Sequence, residues 1–249
     1  MLDAPFPEQL RPVLEKQVAL YTHLTAEERE KLERLTLLFL NEKKFEGAGG
    51  LELTDEMQAV IAARASLLVL HRISLDDALY PGLDVVIVYP SAYQVPSARR
   101  EGGIVLDEQE VRLGESWTRG IVVLSWDAVR AGGASSVDGH DVVLHELAHQ
   151  LDAEDGAIDG APELGSSRRY KAWASVLGAD YAELVERVSH GRTSDIDSYG
   201  ATNPAEFFAV VTEAFFERPE RLSAQHPALY AELAGFFRFD PAARIRGAG

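Results

Sequence analysis

Asp141-Val142-Val143-Leu144-His145-Glu146-Leu147-Ala148-His149-Gln150-Leu151-Asp152 is the stretch on which the reading of this chain turns. In an α-helix, residues four apart stand one turn above each other on the same face. His145 and His149 can therefore aim two imidazole nitrogens at one zinc ion. Glu146, beside them, is placed to accept a proton from an attacking water. The surrounding residues Val142, Val143, Leu144, Leu147 and Ala148 are apolar, as a buried active-site helix requires. Asp138 or Asp141 is well placed to cap its start. Taken alone, the pentapeptide is also compatible with two core or capping histidines on a packed helix.

A catalytic zinc needs a third protein ligand and an open position for water. One arrangement places Gly three residues after the second His and the third ligand six after. Here those positions are Asp152 and Asp155, and Asp152 suits the sharp turn poorly. The only methionines, Met1 and Met57, lie upstream, so no Met-turn can follow the motif. The other arrangement takes a Glu from a later helix. Asn203-Pro204-Ala205-Glu206-Phe207-Phe208 has the form of a helix start, with Asn at the N-cap and Pro in the first turn. Glu206 then sits among apolar neighbours, where a carboxylate needs a partner such as a metal. A solvated first-turn Glu favoured by the helix dipole is the plainer reading. Glu213, seven residues on and on the same face, competes for the role.

Outward from these segments the chain is helical at both ends. Helices are expected over 12–23, over the Leu-rich stretch after the Thr25-Ala26-Glu27-Glu28 capping box, and after the Thr54-Asp55 cap. They read as packing helices without chemistry of their own. Short β-branched runs at 84–90, 104–106 and 120–126 read as strands. The strand at 121–126, just before the histidine helix, offers an edge for an extended peptide. Helices follow at 167–177, 181–189, 204–217 and 227–237, and 242–249 reads as a frayed tail. The expected class is helix-rich α+β with a small central β-sheet. The expected division is a helical region at 1–80 packed on a catalytic region at 81–241, with a flexible tail at 242–249.

Composition narrows the function. Lys and Arg number 24 against 40 Asp and Glu, a formal net charge of −16. That balance argues against direct nucleic-acid binding, which needs a clustered basic surface, and against attachment to a membrane surface. A basic peptide or protein partner suits it better. Cysteine is absent, so any metal must be held by His, Asp or Glu. The N-terminus lacks a basic segment and an apolar run, so no signal peptide is expected. No apolar run approaches the ~20 residues of a membrane span. A cytoplasmic protein is the expectation. Asp152 is placed either to fix an imidazole tautomer or to cap the helix end. The acidic run Asp152, Glu154, Asp155, Asp159, Glu163 lacks the spacing of a calcium loop and reads as a solvated connection.

Two segments together carry a resemblance. His145–His149 with Gln150-Leu151-Asp152, and Ser198-Tyr199-Gly200-Ala201-Thr202-Asn203-Pro204-Ala205-Glu206-Phe207-Phe208-Ala209, resemble the Mlc titration factor A family of zinc peptidases. Over the same segments the chain is similar to the catalytic domain of anthrax lethal factor. The resemblance implies a zincin-like metallopeptidase holding one zinc ion per chain. It implies His145, His149 and Glu206 as metal ligands and Glu146 as catalytic base. It also implies Tyr199 as a catalytic residue that faces the metal and stabilises the oxyanion; without the family, Tyr199 reads as an ordinary loop tyrosine. The implied partners are a peptide or protein substrate, with aminopeptidase action in scope, and a transcriptional repressor of sugar uptake genes. A regulatory binding module, or a helical domain whose histidine motif is accidental, are the competing functions.

Overall fold

Side-chain caps start the long helices where the sequence places them. A computed structural model describes residues 5–91, 120–134 and 139–247. Helix α1 (Arg11–Gln17) carries Pro12 in its first turn but stops short of the expected 12–23. Val18 adopts extended backbone, and a separate 3-10 turn at Tyr21–His23 lets Val18, Leu20 and Tyr21 all reach the core. Helix α2 (Ala26–Glu42) begins with a reciprocal cap: Glu28 N–H donates to Thr25 Oγ1 at 3.2 Å, and Thr25 N–H donates to Glu28 Oε2 at 2.8 Å. Helix α3 (Asp55–Val69) starts at Thr54 and is buried on nearly every side. Such a helix belongs to an interior rather than a surface layer.

Among the described residues the sheet has three parallel strands in the order β1-β2-β3. Strand β1 (Lys44–Gly47) pairs with β2 (Val85–Tyr89), Lys44 opposite Val85. Strand β3 (Ile121–Ser125) pairs on the other side, Ile121 opposite Val85. Parallel strands need a long crossover, and α3 supplies the one between β1 and β2. Val86, Val88, Val122 and Leu124 are buried on alternating positions. The sequence reading missed β1, whose Lys44-Phe45-Glu46-Gly47 carries charge at two of four positions. The strand expected at 104–106 lies outside the described residues.

Helix α4 (Trp126–Ala134) leaves β3 directly and leads to α5 (Val142–Asp152), the histidine helix. Asp141 is its N-cap, its Oδ1 accepting N–H bonds from Val143 at 2.9 Å and Leu144 at 3.2 Å. Helix α6 (Ser167–Ser189) is continuous where two helices were expected, because Gly178 stays helical in open space and breaks nothing. A 3-10 turn at Ser198–Ala201 precedes α7 (Pro204–Glu217), and α8 (Pro219–Gln225), α9 (Pro227–Phe237) and α10 (Pro241–Gly247) complete the chain. Helix α10 stands where a frayed tail was expected. Pro241 and Ala242 are buried, Ala242 N–H donates to Tyr230 Oη at 2.9 Å, and Arg244 pairs with Glu28 at the start of α2.

These helices place the site by packing in series. Helix α3 lies between α2 and α5, and α5 packs on α7. Phe208 of α7 meets Trp173 of α6 at 5.7 Å and Phe236 of α9 at 5.9 Å, while Phe215 stacks on Phe237 at 5.4 Å. Each such pair contributes about 0.5–1.5 kcal/mol beyond the area it buries. The result is the expected helix-rich α+β fold, a zincin-like arrangement with a small parallel sheet and packing helices. Among the described residues, no helix is long and apolar enough to cross a membrane.

Candidate metal centre

Helices α5 and α7 bring His145, His149 and Glu206 to one buried point. His145 Nε2 lies 3.0 Å from Glu206 Oε2 and 3.3 Å from His149 Nε2. His149 Nε2 lies 3.5 Å from Glu206 Oε2. Donors about 2.0–2.1 Å from a tetrahedral ion stand about 3.3 Å apart. The three separations therefore describe one face of a zinc-sized tetrahedron, and the donor set is capable of coordinating a metal ion. Glu206 is held at its end by Asn203, whose Oδ1 accepts the Glu206 N–H at 2.9 Å.

The carboxylate of Glu213 lies outside this triangle. Its Oε1 meets His145 Nδ1 at 2.7 Å, and its Oε2 accepts the Asp141 N–H at 2.6 Å. A carboxylate that accepts on both oxygens favours an imidazole proton on Nδ1 and leaves Nε2 as the nitrogen that faces the donor triangle and is free to bind a metal once its own proton is displaced. Glu213 thus orients His145 and stands outside the donor triangle. Its place on the same helix face as Glu206 was the signal. The sequence reading took that signal for a competing ligand.

The protonation preferences of these side chains reflect the same arrangement. Burial opposes protonation of His145, but hydrogen bonds with Glu206 and Glu213 outweigh it and bring its pKa up to about 10. Burial pushes His149 down to about 4, against the Glu206 hydrogen bond. Glu206 is buried, which raises its pKa, yet the two imidazoles hold it well below the usual carboxylate range. At Glu213 burial prevails and its pKa is raised. A positive charge between two buried carboxylates is what this donor set accommodates.

The remaining sequence candidates are near the triangle in different ways. Glu146 follows His145 on α5 and is 5% exposed. Tyr199, in the 3-10 turn before α7, has its ring centroid 5.9 Å from that of His145 and is 37% exposed. Asp197 Oδ1 accepts the Tyr199 N–H at 2.7 Å and anchors that turn. Asp152 binds no imidazole: its Oδ2 accepts the Gly160 N–H at 2.8 Å. Gly160 has φ +79°, and a Cβ there would fall 2.3 Å from the Pro204 carbonyl oxygen. Only glycine lets the connection pass so close to the start of α7. Trp173 Nε1 donates to the Gly160 carbonyl at 2.8 Å, so Asp152, Gly160 and Trp173 together tie α5, α6 and α7 at the ligand end. Asp155, Asp159 and Glu163 each accept a backbone N–H two residues on and form part of the exposed connection.

The family model described as glucose-regulated metallo-peptidase M90 matches residues 1–238. The chain belongs to this family. The family is one of metallo-peptidases, and the donor geometry of His145, His149 and Glu206 fits a metal ion. The M90 chain is 40% identical over 243 residues to the uncharacterized protein slr2042 of Synechocystis, spanning 97% of this chain and 87% of that one. It is 35% identical over 236 residues to Mlc titration factor A of Klebsiella pneumoniae, covering 93% and 87%. Against Mlc titration factor A of Yersinia pestis the identity is 32% over 233 residues, covering 92% and 84%.

Proposed function

We propose that this chain hydrolyses peptide bonds with zinc held by His145, His149 and Glu206. The observation that carries the reading is the 3.0–3.5 Å triangle of donor atoms on two packed helices. Zinc, when bound there, supplies Lewis acidity toward a carbonyl oxygen and makes water a stronger acid. Glu146 is the general base. Its buried carboxylate takes a proton from the attacking water and returns it to the leaving amine. Tyr199 donates its O–H to the oxygen on which negative charge develops. Glu213 keeps the His145 proton on Nδ1 throughout. The similarity to the anthrax lethal factor catalytic domain rests on the two signature segments alone and supports the same ligand roles.

An extended substrate pairs with β3, which among the described residues has a neighbouring strand on one side only. The net charge of −16 favours a basic peptide. Aminopeptidase action falls within the proposal, in which case a peptide with a free α-amine is cut and its acetylated form is not. The proposed division keeps residues 81–241 as the catalytic region, with 1–80 packed against it. The test is Glu146→Gln, which retains zinc and abolishes cleavage of a peptide library. Undiminished, chelator-sensitive cleavage by this variant refutes the assigned base.

A second reading is favoured by the name that the Klebsiella and Yersinia relatives share, Mlc titration factor A. We propose that this chain also binds an Mlc-like transcriptional repressor through its surface. His149→Ala then still captures the purified repressor although it has lost zinc. Capture that disappears with the metal contradicts a separate binding surface.

A further inference from the structure

Arg64 is the least expected charge in the molecule. It sits in the middle of α3, in an Ala-rich segment, and is only 1% exposed. Its Nε and Nη2 donate to the Gln17 carbonyl at 3.0 and 2.8 Å, at the last residue of α1. Its Nη1 donates to the Val129 carbonyl of α4 at 2.8 Å and lies 3.2 Å from Asp141 Oδ2. A planar guanidinium that makes four contacts to three acceptors at once is fixed in direction as well as place. The two consecutive glycines of α4 make room for it. A Cβ on Gly133 would fall 2.1 Å from Arg64 Nη2, and one on Gly132 2.8 Å from the His140 carbonyl oxygen.

Asp141 connects this buried cation to the metal centre. One of its carboxylate oxygens faces Arg64 and the other caps α5. Its backbone N–H donates to Glu213 Oε2, and Glu213 Oε1 holds His145 Nδ1. Every link in this chain is buried, where an unmet polar group is costly. We propose that Arg64 is a positioning residue for the metal site, acting through Asp141 and Glu213 on the orientation of His145. The helices of the N-terminal region, which read from sequence as packing alone, thereby set how well the histidine helix binds metal. Arg64 fixes the Asp141 backbone, and the direction of that N–H decides where the Glu213 carboxylate rests. A shift of Glu213 rotates the imidazole whose other nitrogen is a ligand.

The inference rests on the zinc-site reading, and wild-type zinc binding tests that reading separately. The experiment measures zinc Kd by competition with a chelating dye, together with the visible spectrum of the cobalt-substituted protein. Arg64→Lys keeps the charge but loses the fork. It is expected to weaken zinc binding about tenfold or more, and to change the cobalt spectrum. Tyr230→Phe is the control for stability. It removes the Tyr230 Oη bonds to Asp240 at 2.6 Å and from the Ala242 N–H at 2.9 Å, which join α9 to α10, and lowers Tm without moving Kd or the spectrum. Should Arg64→Lys fail to fold, Gly133→Ala, whose Cβ would fall 2.1 Å from both Arg64 Nη2 and Gln17 Oε1, displaces the guanidinium from its Gln17 contacts without altering charge and carries the same expectation. Wild-type binding with an unchanged Kd and spectrum in the folded variant overturns the role of Arg64. Absence of zinc binding by the wild type overturns the site reading instead.

Discussion

Replacing Glu213 by Gln probes the electrostatics of the site without removing any ligand. The carboxylate accepts two N–H bonds, from His145 Nδ1 at 2.7 Å and from the Asp141 backbone at 2.6 Å. A Gln side chain has one acceptor and one donor group to offer. If its oxygen stays on the Asp141 N–H, its amide faces His145 Nδ1 and favours the tautomer protonated on Nε2. That proton then occupies the ligand position. If the amide turns the other way, the buried Asp141 N–H loses its acceptor, which costs about 1–3 kcal/mol. Loss of such an orienting partner typically weakens metal affinity by about 10–100-fold, equivalent to about 1.4–2.8 kcal/mol. The assay is zinc Kd by chelator competition, with circular dichroism to establish that the variant is folded. A folded Glu213→Gln protein that binds zinc within about twofold of wild type refutes the argument that Glu213 orients His145.

Other consequences are open to direct measurement. Tyr199→Phe removes the proposed oxyanion donor, so kcat falls by about 10²-fold while KM changes little, as steady-state kinetics on a cleaved peptide would record. Burial raises the Asp152 carboxyl pKa to about 7 against hydrogen bonds from the Gly160 connection. Because the folded pKa lies above the ordinary 3.8, the stability tied to this proton is complete below pH 3.8 and is lost as pH rises through 7. In thermal unfolding of chelator-treated protein, Tm therefore falls less between pH 5 and 8 for Asp152→Asn than for wild type. Phe208 is buried between Trp173 and Phe236, and Phe208→Ala should cost about 3–5 kcal/mol in denaturant unfolding.

Much of this site is legible in sequence because its signals are local. The four-residue spacing of His145 and His149, the Asp141 cap and the Asn203-Pro204 start each depend on one turn of helix. The positions of α5 and of α7 follow from them. What escaped reading depends on distant partners. Strand β1 is a strand because Lys44–Gly47 lies beside Val85–Val88, and nothing in Lys44-Phe45-Glu46-Gly47 announces that neighbour. Helix α10 is held by Tyr230 and Glu28 rather than by its own composition. Arg64 looks like any solvated helix residue until the fold places Asp141 beside it, 77 positions later. Glu213 stands on the same helix face as Glu206, and only the tertiary fold separates the carboxylate that joins the donor triangle from the one that meets the imidazole Nδ1.

Elemental analysis of the purified protein, beside His149→Ala prepared in the same way, tests the central claim most directly. The 3.0–3.5 Å donor triangle predicts close to one zinc ion per wild-type chain and almost none in the variant. Wild-type protein that takes up no zinc when it is supplied, or His149→Ala that retains a full complement, would contradict it.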